Sequence, residues 1–163
     1  EGGDLVIDLE TESLLDYYEK DSVDEIICWH TLEHLQNAEI VFVDFLTILK
    51  DDGVLNIRIP HFMRAKNYVL THKRFFSLNS FTAYYKGRKT SKSLQTKIKM
   101  WVKPVMVQLV WMNRPSNVFF KALNDFVNNI INYSPVTQNI FESYLGYLMG
   151  GFYEVRFIFK VKK

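Results

Sequence analysis

The chain has 163 residues, 48% hydrophobic and 23% charged, which suits one domain with one core and excludes a disordered or fibrous polymer. Its net charge of +2 conceals a division: residues 1–60 hold 15 acidic and 3 basic side chains, whereas residues 61–163 hold 3 and 17. A single cysteine, Cys28, excludes a disulfide framework and, with no secretory signal evident, points to a reduced, cytoplasmic setting.

Residues 4–9 (DLVIDL) form a short β-prone run, and residues 11–18 suit a helical turn. Residues 23–29 (VDEIICW) end in a nearly continuous apolar stretch, the pattern of a central parallel strand covered on both faces. Residues 37–50 predict a helix, with Ile40, Val41, Phe45, Ile48 and Leu49 at helical spacing. Asp51, Asp52 and Gly53 supply a C-cap and turn. Residues 54–59 (VLNIRI) are a further strand, stopped by Pro60. Strand, helix, strand, helix, strand with short links predicts an α/β fold with a parallel sheet.

The second half differs. Residues 77–85 suit a short helix capped by Ser77 or Asn79, and residues 86–93 (KGRKTSKS) a basic loop. Residues 97–103 alternate lysine or tryptophan with apolar side chains, and this strand continues through 105–111 with a bend at Pro104. Ser116 caps a predicted helix to about Asn132, with Phe119, Leu123, Phe126, Val127 and Ile130 as its buried stripe. Residues 138–149 predict another helix, ended by Gly150 and Gly151. Residues 152–161 close the chain as a strand with Val155, Phe157, Phe159 and Val161 on one face, and Lys160, Lys162 and Lys163 guarding a sheet edge. The apolar runs, such as 105–112, are too short to cross a bilayer.

All four histidines fall between His30 and His72. His30 and His34 follow one predicted parallel strand and His61 the next, so they are expected on one rim, outside the carboxyl ends of the strands. The spelling His30-x-x-Glu33-His34 is also that of an inverted zinc-hydrolase motif. That chemistry needs both histidines on one face of a regular helix, with a third ligand from His61, His72 or a distant carboxylate. His30 directly follows a strand, so the helical geometry is not expected and no metal ligand is assigned.

Residues 4–62 resemble the middle of a class I S-adenosylmethionine-dependent methyltransferase. The likeness rests on DLVIDLE (4–10), SVDEIICWHTLEHLQN (22–37) and FLTILKDDGVLNIRIPHF (45–62), in the family's order and spacing. Asp51-Asp52-Gly53 stands where Pro-Gly-Gly is usual. THKRFFSLNSF (71–81) is similar to a segment of a bacterial-type subgroup. The resemblance implies a Rossmann-like sheet of seven strands in the order 3-2-1-4-5-7-6, mostly parallel, with the C-terminal strand 7 antiparallel. Residues 4–9, 23–29 and 54–59 would be strands 3, 4 and 5. Residues 97–112 would be strand 6 and 152–161 strand 7, with the helices of 116–149 inserted between them. Strands 1 and 2 and the glycine-rich cofactor loop have no counterpart in the sequence. The chain, which opens on Glu1, is therefore expected to be a piece of a longer methyltransferase. Residues 1–163 would form one partial domain: 1–62 on the cofactor side, 63–163 on the substrate side and C-terminal.

The resemblance implies S-adenosylmethionine as cofactor and methyl transfer by in-line displacement, where the protein aligns, excludes water and supplies a base. Asp8 would accept from the adenine amine and Leu9 pack on the ring, while Trp29 and His30 border the methionine and sulfonium. His34 or His61 is the expected general base. Glu33 would orient the acceptor, and His72, Lys73 and Arg74 contact it. A small-molecule or glycan acceptor is favoured over nucleic acid, for which the basic loop 86–92 and Trp101 speak. The charge division fits either attraction between the halves or an anionic partner surface. Two further readings stay open: a non-catalytic interaction module that self-associates through an exposed strand edge, and the zinc hydrolase.

Overall fold

The structure, a computed structural model, describes residues 5–85, 101–112, 115 and 117–163. The basic loop 86–93, the alternation over 97–100 and the Ser116 cap lie outside them. Four strands form one mixed sheet in the order β1-β2-β4-β3. They are β1 (Val23–Trp29), β2 (Leu49–Pro60), β3 (Trp101–Val110) and β4 (Glu154–Lys162). β1 and β2 run parallel, joined by helix α1 (Ala38–Ile48), while β4 is antiparallel to both β2 and β3. This is the Rossmann-like α/β arrangement expected of strands 4-5-7-6, reversed last strand included.

The period-two patterning of β4 decides which face is buried. Val155, Phe157, Phe159 and Val161 have no exposed surface, and neither do Leu55, Ile57 and Ile59 on β2. α1 covers this face with Val41, Phe42, Phe45 and Leu46. Phe81, just before the short helix α2 (Thr82–Tyr85), stacks on Phe42 at 4.7 Å and meets Phe157 edge-on at 5.0 Å. Each such buried aromatic contributes about 1.5–3 kcal/mol by leaving water. The opposite face of the sheet is only half covered: Trp29 lies there under the Arg58 guanidinium, 3.9 Å from its ring centroid.

Several expectations are corrected. Residues 5–9 do not form a strand. The Asp8 carboxylate accepts from the Glu10 N–H at 3.0 Å, and the Asp8 carbonyl accepts from Thr11 and Glu12, so local turn chemistry wins over β-propensity. β1 is accordingly the edge strand, not a covered central one, and Ile27 (57%) and Trp29 (45%) are exposed. Asp51-Asp52-Gly53 is a bulge within β2 rather than a helix cap. The register jumps from Val23↔Leu49 to Glu25↔Val54, Asp52 takes φ 62, and a Cβ on Gly53 would lie 2.9 Å from the Lys50 carbonyl oxygen. The helix itself ends two residues earlier than predicted, at Ile48. β3 bends at Pro104, where its register with β4 shifts. β4 is an interior strand, so its terminal lysines guard no edge; Lys162 pairs with Asp52 at 2.7 Å, and Lys163 with Asp21. Together with Lys73–Glu10 these pairs link the basic half to the acidic one.

The largest correction concerns α3 (Val118–Ile131), capped by the Asn117 side chain on the Phe120 N–H. Phe119, Phe126 and Ile130 are exposed and Leu123 half-buried; of the predicted stripe only Val127 packs on the core, together with the wholly buried Ile131. The rest of the inward face is polar. Asn124, Asn128 and Asn132 present side-chain oxygens to the N–H groups of Met112, Trp111 and Leu109 at 3.1, 2.9 and 2.8 Å. The C-terminal end of β3 and the two residues after it are thereby satisfied by asparagines at helical spacing instead of another strand. The next helical segment is not uniform. α4 (Pro135–Ile140) starts earlier than predicted, at a Ser134/Thr137 capping box. It widens into a π turn over Phe141–Leu145, tightens into a 3₁₀ turn over Gly146–Met149, and stops at Gly150 and Gly151, both at positive φ. No helix among the described residues is long and apolar enough to cross a membrane.

Candidate functional site

His30 directly follows β1 and His61 directly follows β2, so the parallel pairing sets both at one rim of the sheet. The antiparallel return of β4 brings its first residue, Glu154, to the same rim, opposite Pro60. His30 takes φ 51, a conformation uncommon for residues other than glycine, while its N–H still bonds the Arg58 carbonyl at 2.8 Å. Its imidazole lies between two carboxylates: Nε2 is 3.2 Å from Glu154 Oε2, and Nδ1 is 3.4 Å from Glu33 Oε1. The hydrogen bond with Glu154, then the nearby Glu33 carboxylate, outweighs partial burial and pushes the imidazole up to about 9. Glu154 is affected in reverse. Burial raises its carboxyl, but His30 and Arg156 together hold it below the ordinary value.

After His30 the chain turns through a 3₁₀ segment, Leu32–His34, that buries Leu32 and Glu33 and leaves His34 half-exposed. The loop carrying His72 is tied to this turn. The N–H groups of Lys73 and Arg74 donate to the Glu33 carbonyl at 2.7 and 3.1 Å, and His34 Nδ1 lies 3.0 Å from the Thr71 carbonyl oxygen. The His34 and His72 rings meet edge to face at 4.8 Å. Lys73 also reaches Glu10, whose carboxylate accepts from the Gln36 N–H at 3.0 Å. The residue 8–10 turn thus joins the same rim: Leu9 packs on the core and its carbonyl accepts from Asn37 at 2.8 Å. The Arg74 guanidinium bonds the Gln36 carbonyl.

The structure therefore gathers Asp8, Leu9, His30, Glu33, His34, His72 and Arg74 along one continuous rim. Trp29 sits beside them on the half-covered face, its indole N–H 3.3 Å from Asn56. His61 is at the rim by position but turned inward. It is fully buried, its Nδ1 accepts from the Met63 N–H at 3.2 Å, and its Nε2 lies 2.8 Å from Glu142. Both nitrogens are engaged, so His61 positions the chain after β2 and offers no free base.

Three contributors were not singled out from sequence. Glu154 and Glu142 are two of the three acidic residues after position 60, and each is buried against a histidine. That scarcity in a basic half was the available signal. The third is a cavity of about 320 Å³ beside the rim, lined by Leu32, Phe42, Arg74, Phe75, Phe81 and Tyr84 among others. Tyr84 donates to Glu39 at 3.2 Å, and burial, then that carboxylate, raises its hydroxyl. No sequence pattern marks this cavity, because its walls come from three separate segments.

No protein-family profile and no curated protein matches the chain. Solved structures similar to it include the 4+2 cyclase SpnF, at 12% identity over 88% of this chain and 51% of that one, with a TM-score of 0.47. YcgJ from Bacillus subtilis is similar at 13% identity over 90% of this chain and 66% of that one, with a TM-score of 0.48. The MccD protein is similar at 15% identity over 90% and 63%, with a TM-score of 0.46. The chain thus spans between 51% and 66% of the length of these structures.

Proposed function

We infer that this chain is the central and C-terminal part of an S-adenosylmethionine-dependent methyltransferase. The observation that carries the reading is the strand order: the motifs assigned to strands 4, 5, 6 and 7 fold into a sheet ordered 4-5-7-6 with strand 7 reversed. On this reading the sulfonium end of the cofactor lies at the carboxyl end of β1, bordered by Trp29 and His30, and its adenine lies toward the Asp8–Leu9 turn. S-adenosylmethionine supplies an activated methyl group; the protein aligns the acceptor and takes up its proton. His34 is the better-placed base, since it is half-exposed whereas His61 is buried. The acceptor enters the cavity between Arg74, Phe75 and Tyr84, whose mostly apolar walls fit a small molecule or one glycan unit.

The glycine-rich loop and ribose-binding acid that hold the rest of the cofactor have no counterpart in these residues, so tight binding is expected of a longer chain that carries them. The test is calorimetric titration of S-adenosylmethionine into this chain and into a version extended by the upstream coding sequence. Binding only in the extended form, weakened by Asp8→Ala, supports the reading. Binding in neither form removes it. The exposed outer edge of β1 favours a second reading, an interaction module that pairs strand to strand. A strictly monomeric chain at high concentration speaks against that alternative.

A further inference from the structure

We propose that Glu33, His34 and His72 form a binding site for a divalent first-row transition-metal cation. One ligand atom from each, a carboxylate oxygen and two imidazole nitrogens, lies within 4.8 Å of the others.

The first support is a buried acid with no hydrogen-bond donor, its nearest charge partner being the His30 imidazole. Glu33 is 1% exposed, and neither of its carboxylate oxygens accepts a hydrogen bond from any described residue. His30 Nδ1 at 3.4 Å and His34 Nε2 at 3.8 Å approach Oε1 without bonding it. A buried carboxylate without donors is costly, and a cation between it and the histidines removes that cost. The second support is the orientation of His34. Its Nδ1 faces the Thr71 carbonyl at 3.0 Å, and a carbonyl only accepts, so Nδ1 carries the proton. The Nε2 lone pair is then on the side of Glu33, 3.8 Å from Oε1, as in metal sites where a backbone carbonyl bonded to the other ring nitrogen fixes the imidazole. The third is the anchoring of the His72 loop by two backbone hydrogen bonds to the Glu33 carbonyl. Ligand atoms around zinc, each about 2.0–2.1 Å from the metal, sit roughly 3.4 Å apart. Small rotations of the two half-exposed imidazoles cover the difference.

Two imidazoles and one carboxylate suit zinc, iron, cobalt or manganese rather than magnesium or calcium, and leave coordination positions open. With Nε2 on the cation and the Nδ1 proton held by the Thr71 carbonyl, His34 is a ligand in the metal-loaded chain and acts as the base only in the metal-free one. The ligand set differs from the inverted zinc-hydrolase pattern: His72 takes the place of His30, which is already held by Glu154.

The test uses untagged, chelator-treated chain without S-adenosylmethionine, so its outcome is independent of the methyl-transfer reading. Zinc is titrated by calorimetry, and cobalt by its visible ligand-field absorption. One equivalent should bind, with a rise in melting temperature and no competition from magnesium. Glu33→Gln, which keeps the side-chain volume, and His72→Ala, at a half-exposed position, should each weaken binding by more than the about 10–100-fold that loss of even an outer-shell partner costs. His30→Ala should retain it. Absence of stoichiometric binding, or unchanged affinity in both Glu33→Gln and His72→Ala, overturns the proposal. Loss in His30→Ala with retention in His72→Ala overturns this ligand set in favour of the His30–His34 pairing.

Discussion

Asn132 offers the sharpest test of how the edge of β3 is closed. Its side-chain oxygen accepts from the Leu109 N–H and from Gln138 at 2.8 and 3.0 Å. Its amide donates to the carbonyls of Leu109 and Asn128, both at 2.8 Å. Asn132→Ala therefore strips both main-chain partners from Leu109, itself wholly buried. Each orphaned buried group costs about 1–3 kcal/mol, and this site is only part-buried, so water recovers some of the loss. A total of about 2–3 kcal/mol follows, equivalent to a fall in melting temperature of roughly 4–12 °C for a domain of this size. Asn132→Asp should not rescue. It keeps an acceptor for the Leu109 N–H but sets a second oxygen against two carbonyls. Asn139→Ala is the control, since that exposed amide bonds only its own helix, at Pro135, and should cost under about 0.5 kcal/mol. Urea unfolding of the three variants reads the order directly. An Asn132→Ala variant no less stable than Asn139→Ala would mean that α3 does not close the edge of β3.

Three other substitutions probe separate links. At the end of the irregular helix, Gly150 and Gly151 share a left-handed backbone, but a Cβ at Gly150 meets nothing within 4 Å whereas one at Gly151 would lie 2.6 Å from the Met63 carbonyl oxygen. Gly150→Ala should cost about 1 kcal/mol and Gly151→Ala at least twice that by thermal unfolding. Glu142 accepts from His61 and from the Leu78 N–H at 2.7 Å. Glu142→Gln keeps the acceptor and should cost under about 1 kcal/mol, while Glu142→Ala orphans two buried donors and should cost about 2–4 kcal/mol in denaturant titrations. Burial pushes the Cys28 thiol up to about 11, so native protein at pH 8 should be alkylated far more slowly than urea-unfolded protein. The neutral thiol is favoured in the fold, so its stabilising share is complete below the thiol's ordinary pKa of about 8.5 and is lost as pH rises toward 11.

The sheet was legible because its signals are local. An apolar run before His30, a Pro after Ile59 and strict alternation from Val155 to Val161 each mark one strand, and the resemblance supplied their order. The failures share one cause: each needed a partner the local pattern does not show. The 4–9 run has the composition of a strand, but its described residues, 5–9, lie against no described strand, so the Asp8 turn decides their shape. The α3 periodicity is that of an amphipathic helix, yet the surface it meets is a strand edge with free N–H groups. A row of asparagines four residues apart satisfies that edge, and a phenylalanine stripe cannot. Asn124, Asn128 and Asn132 were visible at that spacing, but amides on a helix face ordinarily read as its solvent side.

The same dependence on distant partners governs the rim. His30, Glu33 and His34 come from five consecutive residues, and a strand end was enough to set them together. What they can do is fixed by groups far away in sequence. Glu154 holds the His30 imidazole, Thr71 orients His34, and the Lys73 and Arg74 amides bring His72 over Glu33. His61 shows the converse: identical placement after a parallel strand, but with Glu142 and Met63 taking both nitrogens it has no lone pair left for chemistry. Two histidines equivalent by position along the sheet therefore divide into one at the site and one in the frame, and the division follows from where the only two buried acids of the described basic half are placed.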